Sequence, residues 1–288
     1  YKTCGAWGRR ISAGQQRLMK KFPMLPWIMM LCVVQGLNAC VSAVDRNKQF
    51  SQDHDLLRRI VHGKEFDHVV YFNRAALTSN GGWHVYIEGD GIPWINHQYV
   101  ADDPTAPLPL MLRIMSQDRL PSIYLGRPCY EGLAKKAGCT PWLWTHGRYS
   151  RIVVDSMAAV LHELVRDYQV PSLTLIGHSG GGTLAMLISP SVAEVHKLVT
   201  IAGNLDISAW AEKHGYSPLT DSLNPATQPD IRGGIEQYHY FGKQDRNIPL
   251  RANLRFLKSQ AGAYVMIVDH CAHADCWESY CKEWCLTK

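Results

Sequence analysis

Leu173-Thr174-Leu175-Ile176-Gly177-His178-Ser179-Gly180-Gly181-Gly182-Thr183-Leu184-Ala185 is the stretch on which the fold turns. An apolar β run leads into a run of glycines, and small residues suited to a helix start follow. At its centre is Gly177-x-Ser179-x-Gly181. A strand that reverses straight into a helix leaves no room for Cβ atoms beside the turn, so glycine flanks it. The serine between is held in a strained backbone conformation. That strain carries its hydroxyl out beyond the strand, with the following amides pointing toward the same spot. The bland alternative is a glycine-rich phosphate cradle. No lysine follows these glycines, however, and no G-x-G-x-x-G spacing is present.

Outward from this turn, strand-like runs and helical patterns alternate. Residues Arg151–Tyr168 repeat apolar side chains at helical spacing, at Val154, Met157, Val160, Leu161, Leu164 and Val165. Strands are expected at Phe66–Asn73, Trp83–Glu88, Ser122–Leu125, Val195–Ala202, Glu236–Gly242 and Tyr264–Val268. Helices are expected near 107–117, 250–260 and 275–285, and residues 41–62 read as a polar, helix-prone lead-in. The stretch from Pro93 to Pro109 reads as a proline-rich loop, 126–147 as irregular, and 203–232 as a loop with some helix. Such alternation implies an α/β fold, a mostly parallel twisted sheet with helices on both faces. No repeat and no second domain is visible.

The net charge of +5 over 288 residues invites a polyanion partner, but its location argues against one. Residues 1–39 carry Lys2, Arg9, Arg10, Arg17, Lys20 and Lys21 with no Asp or Glu, which leaves the remainder near −1. No nucleic-acid partner is expected. From Met19, two lysines precede an apolar run at Phe22–Val34 and then Leu37-Asn38-Ala39-Cys40. This reads as an export signal; the apolar run is short for a membrane span. Residues 1–18 read as sequence upstream of a start at Met19, and 40–288 as one domain. Six cysteines follow Cys40: Cys129, Cys139, Cys271, Cys276, Cys281 and Cys285. An even number in an oxidising compartment reads as disulfides. Cys129 and Cys139 are expected to close a local loop. The last four are expected to form two bridges of open connectivity that tie down the C-terminal helix. Zinc at the Cys271–Cys285 cluster is the minority reading; no metal and no cofactor is expected.

A serine hydroxyl needs a base within hydrogen-bond reach and an acid to orient that base. Downstream of Ser179, Gly242-Lys243-Gln244-Asp245-Arg246-Asn247-Ile248-Pro249 follows a strand and offers Asp245, with Asp206 and Asp221 as runners-up. After the last expected strand, Asp269-His270-Cys271-Ala272-His273 offers His273, with His270 as the alternative. In this order, elbow, acid loop and terminal histidine resemble the α/β-hydrolase superfamily over about residues 65–288. The resemblance implies a carboxylic-ester hydrolase with Ser179 as nucleophile, His273 as base and Asp245 as acid. It also implies an oxyanion hole built from the amides of Gly180 and Asp90. Here Glu88-Gly89-Asp90-Gly91 takes the place of the superfamily's His-Gly-x-Gly loop. A glutamate therefore stands where a histidine is usual, and Asp90 must turn its carboxylate away or use it on a cationic substrate group. More narrowly, the chain resembles bacterial α/β-hydrolase lipoproteins, sharing Glu-Gly-Asp-Gly, Arg-Pro-Cys at 127–129 and His-x-x-Cys-Trp at 273–277. Leu37-Asn38-Ala39-Cys40 in turn resembles a bacterial lipobox, which implies lipidation at Cys40 and a membrane anchor, and Val41 after it implies a periplasmic, outer-membrane location.

The expected substrate is a small ester or acyl compound. Trp94 and His178 are the candidate substrate-binding residues, and Trp142, Trp144 and Trp210 lie in long segments that could also wall a pocket. Acyl transfer, amide or peptide cleavage on the same site, and a non-catalytic binding lipoprotein, are the rival readings.

Overall fold

The computed structural model describes residues 41–231, 233–260 and 262–284, with side chains to 280. The leader, Cys40, Cys285 and the side chain of Cys281 lie outside the described residues. In chain order, α1 (Ala43–Asp53) leads to β1 (Leu57–His62), β2 (Asp67–Phe72), α2 (Arg74–Thr78) and β3 (Trp83–Ile87). A small hairpin of β4 (Trp94–Ile95) and β5 (Tyr99–Val100) precedes α3 (Leu110–Gln117), β6 (Ser122–Leu125) and α4 (Arg151–Tyr168). Then come β7 (Leu173–His178), α5 (Gly180–Ile188), β8 (Val195–Ile201), α6 (Ile207–His214) and β9 (Glu236–Gly242). The chain continues through α7 (Leu254–Ser259), β10 (Tyr264–Val268) and α8 (Trp277–Trp284).

Eight strands form one sheet in the order β1-β2-β6-β3-β7-β8-β9-β10. Only β2 runs against the others; every neighbouring pair from β6 to β10 is parallel. The expected lead-in is corrected at 57–62, where the chain is an edge strand paired antiparallel with β2, Leu57 opposite Phe72. The expected helix at 250–260 is also modified: it is a 3₁₀ turn at Leu250–Asn253 followed by α7. The β4–β5 hairpin lies inside what reads as a proline-rich loop.

Strand side chains alternate faces, so one sheet builds two cores. Val85, Leu175 and Leu198 point to one side, under Val153, Met157, Val160 and Leu161 of α4. Tyr86, Ile176 and Val199 point to the other, against Met111, Leu112 and Met115 of α3 and Trp277 of α8. Because β3 and β7 pair Ile87 with Gly177, and β9 and β10 pair Gly242 with Val268, their C-terminal ends align. The loops that leave those four strands share one sheet edge, which is where ligands sit in parallel α/β folds.

Candidate active site

The turn after β7 is as tight as its glycines imply. A Cβ on Gly181 would lie 2.1 Å from the carbonyl oxygen of Ile87, and one on Gly177 would lie 2.3 Å from that of Gly181. Ser179 between them has φ 54° and ψ −120°, a conformation that disfavours any side chain. Neighbours hold it there: its N–H donates to Ile201 (2.9 Å) and its carbonyl accepts from the amide of Asn204 (3.1 Å).

Three loops meet at its hydroxyl. Nε2 of His273 lies 3.0 Å from Ser179 Oγ, and Nδ1 lies 2.8 Å from Oδ2 of Asp245. The other carboxylate oxygen of Asp245 accepts from the amides of Asn247 and Ile248, each at 2.8 Å. Burial pushes the Asp245 carboxyl up. The hydrogen bond and charge of His273 and those two amides outweigh burial and hold it below the usual carboxylate range. An ionised Asp245 accepts the Nδ1–H of His273, which leaves Nε2 free to accept from the serine hydroxyl. Asp206 instead caps α6 and accepts from Asn224, Asp221 accepts from the indole of Trp142, and His270 is exposed in the turn after β10.

The loop carrying His273 joins β10 to α8, and its ends are bridged by a disulfide between Cys271 and Cys276. Trp277 Nε1 donates to the carbonyls of Ala272 (3.0 Å) and His273 (3.1 Å). Gln244 of the acid loop donates its amide to Cys271. A second disulfide joins Cys129 to Cys139. Among the described residues, no group of three or more His, Cys, Asp or Glu is arranged to hold a metal ion.

In the loop after β3, the carboxylate of Asp90 is turned into the protein. Arg127 reaches Oδ1 at 2.6 Å and Arg148 reaches Oδ2 at 2.9 Å, while the Tyr149 hydroxyl lies 2.7 Å from both. Burial raises the Asp90 carboxyl, and the guanidiniums of Arg148 and Arg127 overturn this to hold it well below the usual range. Arg127 and Arg148 also donate to the carbonyls of Arg148 and Thr145. The network abuts the nucleophile turn: a Cβ on Gly180 would fall 2.1 Å from Asp90 Oδ1. Sequence reading missed Arg148 and Tyr149, and it cited Arg127 only as part of a shared motif. The available signal was the acid itself, since an aspartate in a buried loop requires cationic partners.

An open cleft of about 720 Å³ surrounds Ser179 and His273, with Trp94, His97, Trp210 and Tyr216 on its walls. Trp94 is 37% exposed. His178 also borders the cleft, with Nε2 bonded to the carbonyl of His273. Trp142 and Trp144 do not line it: Trp142 bonds Asp221, and buried Trp144 donates to Ala101.

No protein-family model and no curated protein matches the chain. Solved structures do. A membrane phospholipase A, described as a bacterial virulence factor, is similar at TM-score 0.57 and 15% identity, over 90% of this chain and 95% of that one. The Pyrococcus furiosus esterase Pf2001 is similar at TM-score 0.56 and 11% identity, over 82% and 90%. A lidless serine hydrolase from Xanthomonas campestris is similar at TM-score 0.50 and 11% identity, over 79% and 92%.

Proposed function

We propose, from the α/β-hydrolase fold that this chain shares with those proteins, that it is a serine hydrolase acting on a carboxylic ester. The observation that carries this reading is the unbroken hydrogen-bond run from Ser179 through His273 to Asp245. Ser179 Oγ attacks the ester carbonyl as His273 Nε2 takes its proton. The tetrahedral oxyanion is held by the amides of Gly180 and Asp90, each such donor being worth about 10²–10³ in rate. His273 then gives its proton to the departing alkoxide, leaving an acyl group on Ser179. Water, deprotonated by His273, cleaves that ester and restores the hydroxyl. Asp245 orients the imidazole and stabilises its charged form. The open, aromatic-walled cleft fits a small ester, and two of the structural neighbours are named for cleaving esters.

The leader supports export and a lipid anchor at Cys40, with the domain working in the bacterial periplasm. Cys40→Ala is expected to move the protein from the membrane fraction to the soluble one. For the chemistry, the test is labelling by a fluorophosphonate probe followed by a panel of short acyl esters. Wild type is expected to label and Ser179→Ala not; equal labelling of the two would end the hydrolase reading.

A further inference from the structure

Two buried side chains beside the site take no part in the chemistry above. Glu88 stands directly after β3, at the position where the sequence departs from the superfamily's loop. Its Oε1 accepts from the amide of Gly89 at 3.0 Å, and its Oε2 from the amide of Met111, in the first turn of α3, at 2.8 Å. Burial raises its carboxyl, and His178 with these two amides outweighs burial and brings it below the ordinary value. His178 closes β7 immediately before Ser179 and is only 6% exposed. Its Nδ1 lies 3.5 Å from Glu88 Oε1, and its Nε2 lies 2.8 Å from the main-chain oxygen of His273. A carbonyl only accepts, so Nε2 carries the hydrogen and donates.

We propose that Glu88 and His178 are a positioning pair for the base, resting on the hydrolase reading above. His178 grips His273 by its main chain rather than its ring. Glu88 faces Nδ1 of the His178 ring at 3.5 Å without a hydrogen bond, and it fixes the loop that contains Asp90 through the amides of Gly89 and Met111. The two side chains thereby set side by side two loops the reaction needs in register: His178 secures the one carrying the imidazole, and Glu88 the one carrying an oxyanion donor. The need is physical. His273 sits outside regular structure, and its ring must meet Ser179 and Asp245 at once. A misplacement of about 1 Å at such a group costs roughly a hundredfold in rate. Simple packing does not account for the pair, because an apolar ring of similar size would fill the space without the bond to the His273 carbonyl. A direct contact with substrate does not account for it either, since Nε2 is already engaged by the protein.

The test uses the full-length, oxidised protein and a short-chain p-nitrophenyl ester. His178→Phe keeps the ring and removes the donor. It is expected to lower kcat about 10- to 100-fold with KM within about twofold, and to slow fluorophosphonate labelling in parallel. His178→Gln, which restores an N–H, is expected to recover most of that loss. Glu88→Gln is expected to lower kcat by a smaller factor, again with KM nearly unchanged. Should the phenylalanine variant not fold, His178→Met carries the same comparison with a more adaptable side chain. Wild-type kcat in the donor-free variant, or equal losses in the glutamine and donor-free variants, would overturn the proposal. If wild type labels normally and only these differences are missing, this inference alone fails. If wild type does not label, the hydrolase reading fails with it.

Discussion

Replacing Asp90 by asparagine tests the network behind the oxyanion loop. The side chains of Arg127 and Arg148 are 2% and 8% exposed, and both converge on this one carboxylate. At a charge separation of about 4 Å and an effective dielectric of about 20, each pair attracts by about 4 kcal/mol before desolvation is counted. Asparagine keeps the shape and a carbonyl acceptor but removes the charge. Two buried guanidiniums then face each other with no anion between them. Breaking a buried pair from one side costs about 3–5 kcal/mol, and the upper half of that range is expected because two cations are orphaned. For a domain of this size the loss corresponds to a fall in Tm of roughly 10 °C. Arg148→Met is the control. It leaves Asp90 and Arg127 as a balanced pair and is expected to cost about half as much. Guanidinium unfolding of the oxidised protein, followed by tryptophan fluorescence, measures both. A loss below about 1 kcal/mol for Asp90→Asn, or a larger loss for Arg148→Met, would refute the charge argument.

Asp245→Asn is expected to keep the geometry yet lower kcat about 10³- to 10⁴-fold, because an amide cannot hold His273 in the needed tautomer; steady-state kinetics checks it. Relieving the φ of 54° at Ser179 should make Ser179→Gly about 1 kcal/mol more stable than Ser179→Ala in the same unfolding assay, though both are inactive. Burial lowers His68 and His239 to about 4, so their contribution to stability is full above about 6.5 and is lost as pH falls from there to about 4. Burial raises Glu131 to about 7, so its contribution is present below about 4.5 and is lost as pH rises through 7. Glu131→Gln should therefore gain on wild type by up to about 3 kcal/mol between pH 4.5 and 7, read from unfolding midpoints across that range.

Much of the frame was legible because its elements are long and periodic. The helix Arg151–Tyr168 and the strands Leu173–His178, Glu236–Gly242 and Tyr264–Val268 end where their patterns end. The edge strand Leu57–His62 was not legible, since Arg58 and Arg59 sit in its middle and an edge strand buries little. The β4–β5 hairpin pairs only two residues on each side, too few to show a period. At the site, Ser179, Asp245 and His273 could be picked out because each follows a recognisable strand. The guanidiniums around Asp90 could not, because they come from an irregular segment 37 and 58 residues away and nothing local marks them as buried. The use of Glu88 was hidden for a related reason: its partners are main-chain amides and a histidine whose position only the folded sheet defines.

The bridge from Cys271 to Cys276 closes a loop that holds His273, with Cys271 buried in the apolar core that includes Trp277 and Cys276 packed against it. Closing so short a loop contributes only about 2 kcal/mol to the whole domain. A thiol reductant can thus open it and leave the protein folded, with the imidazole slackened from its partners. Material prepared with dithiothreitol is expected to pass every check of solubility and secondary structure and still turn over poorly. Recovery on air oxidation, rather than on refolding, together with the same idleness in unreduced Cys276→Ser, would trace it to this one sulfur link.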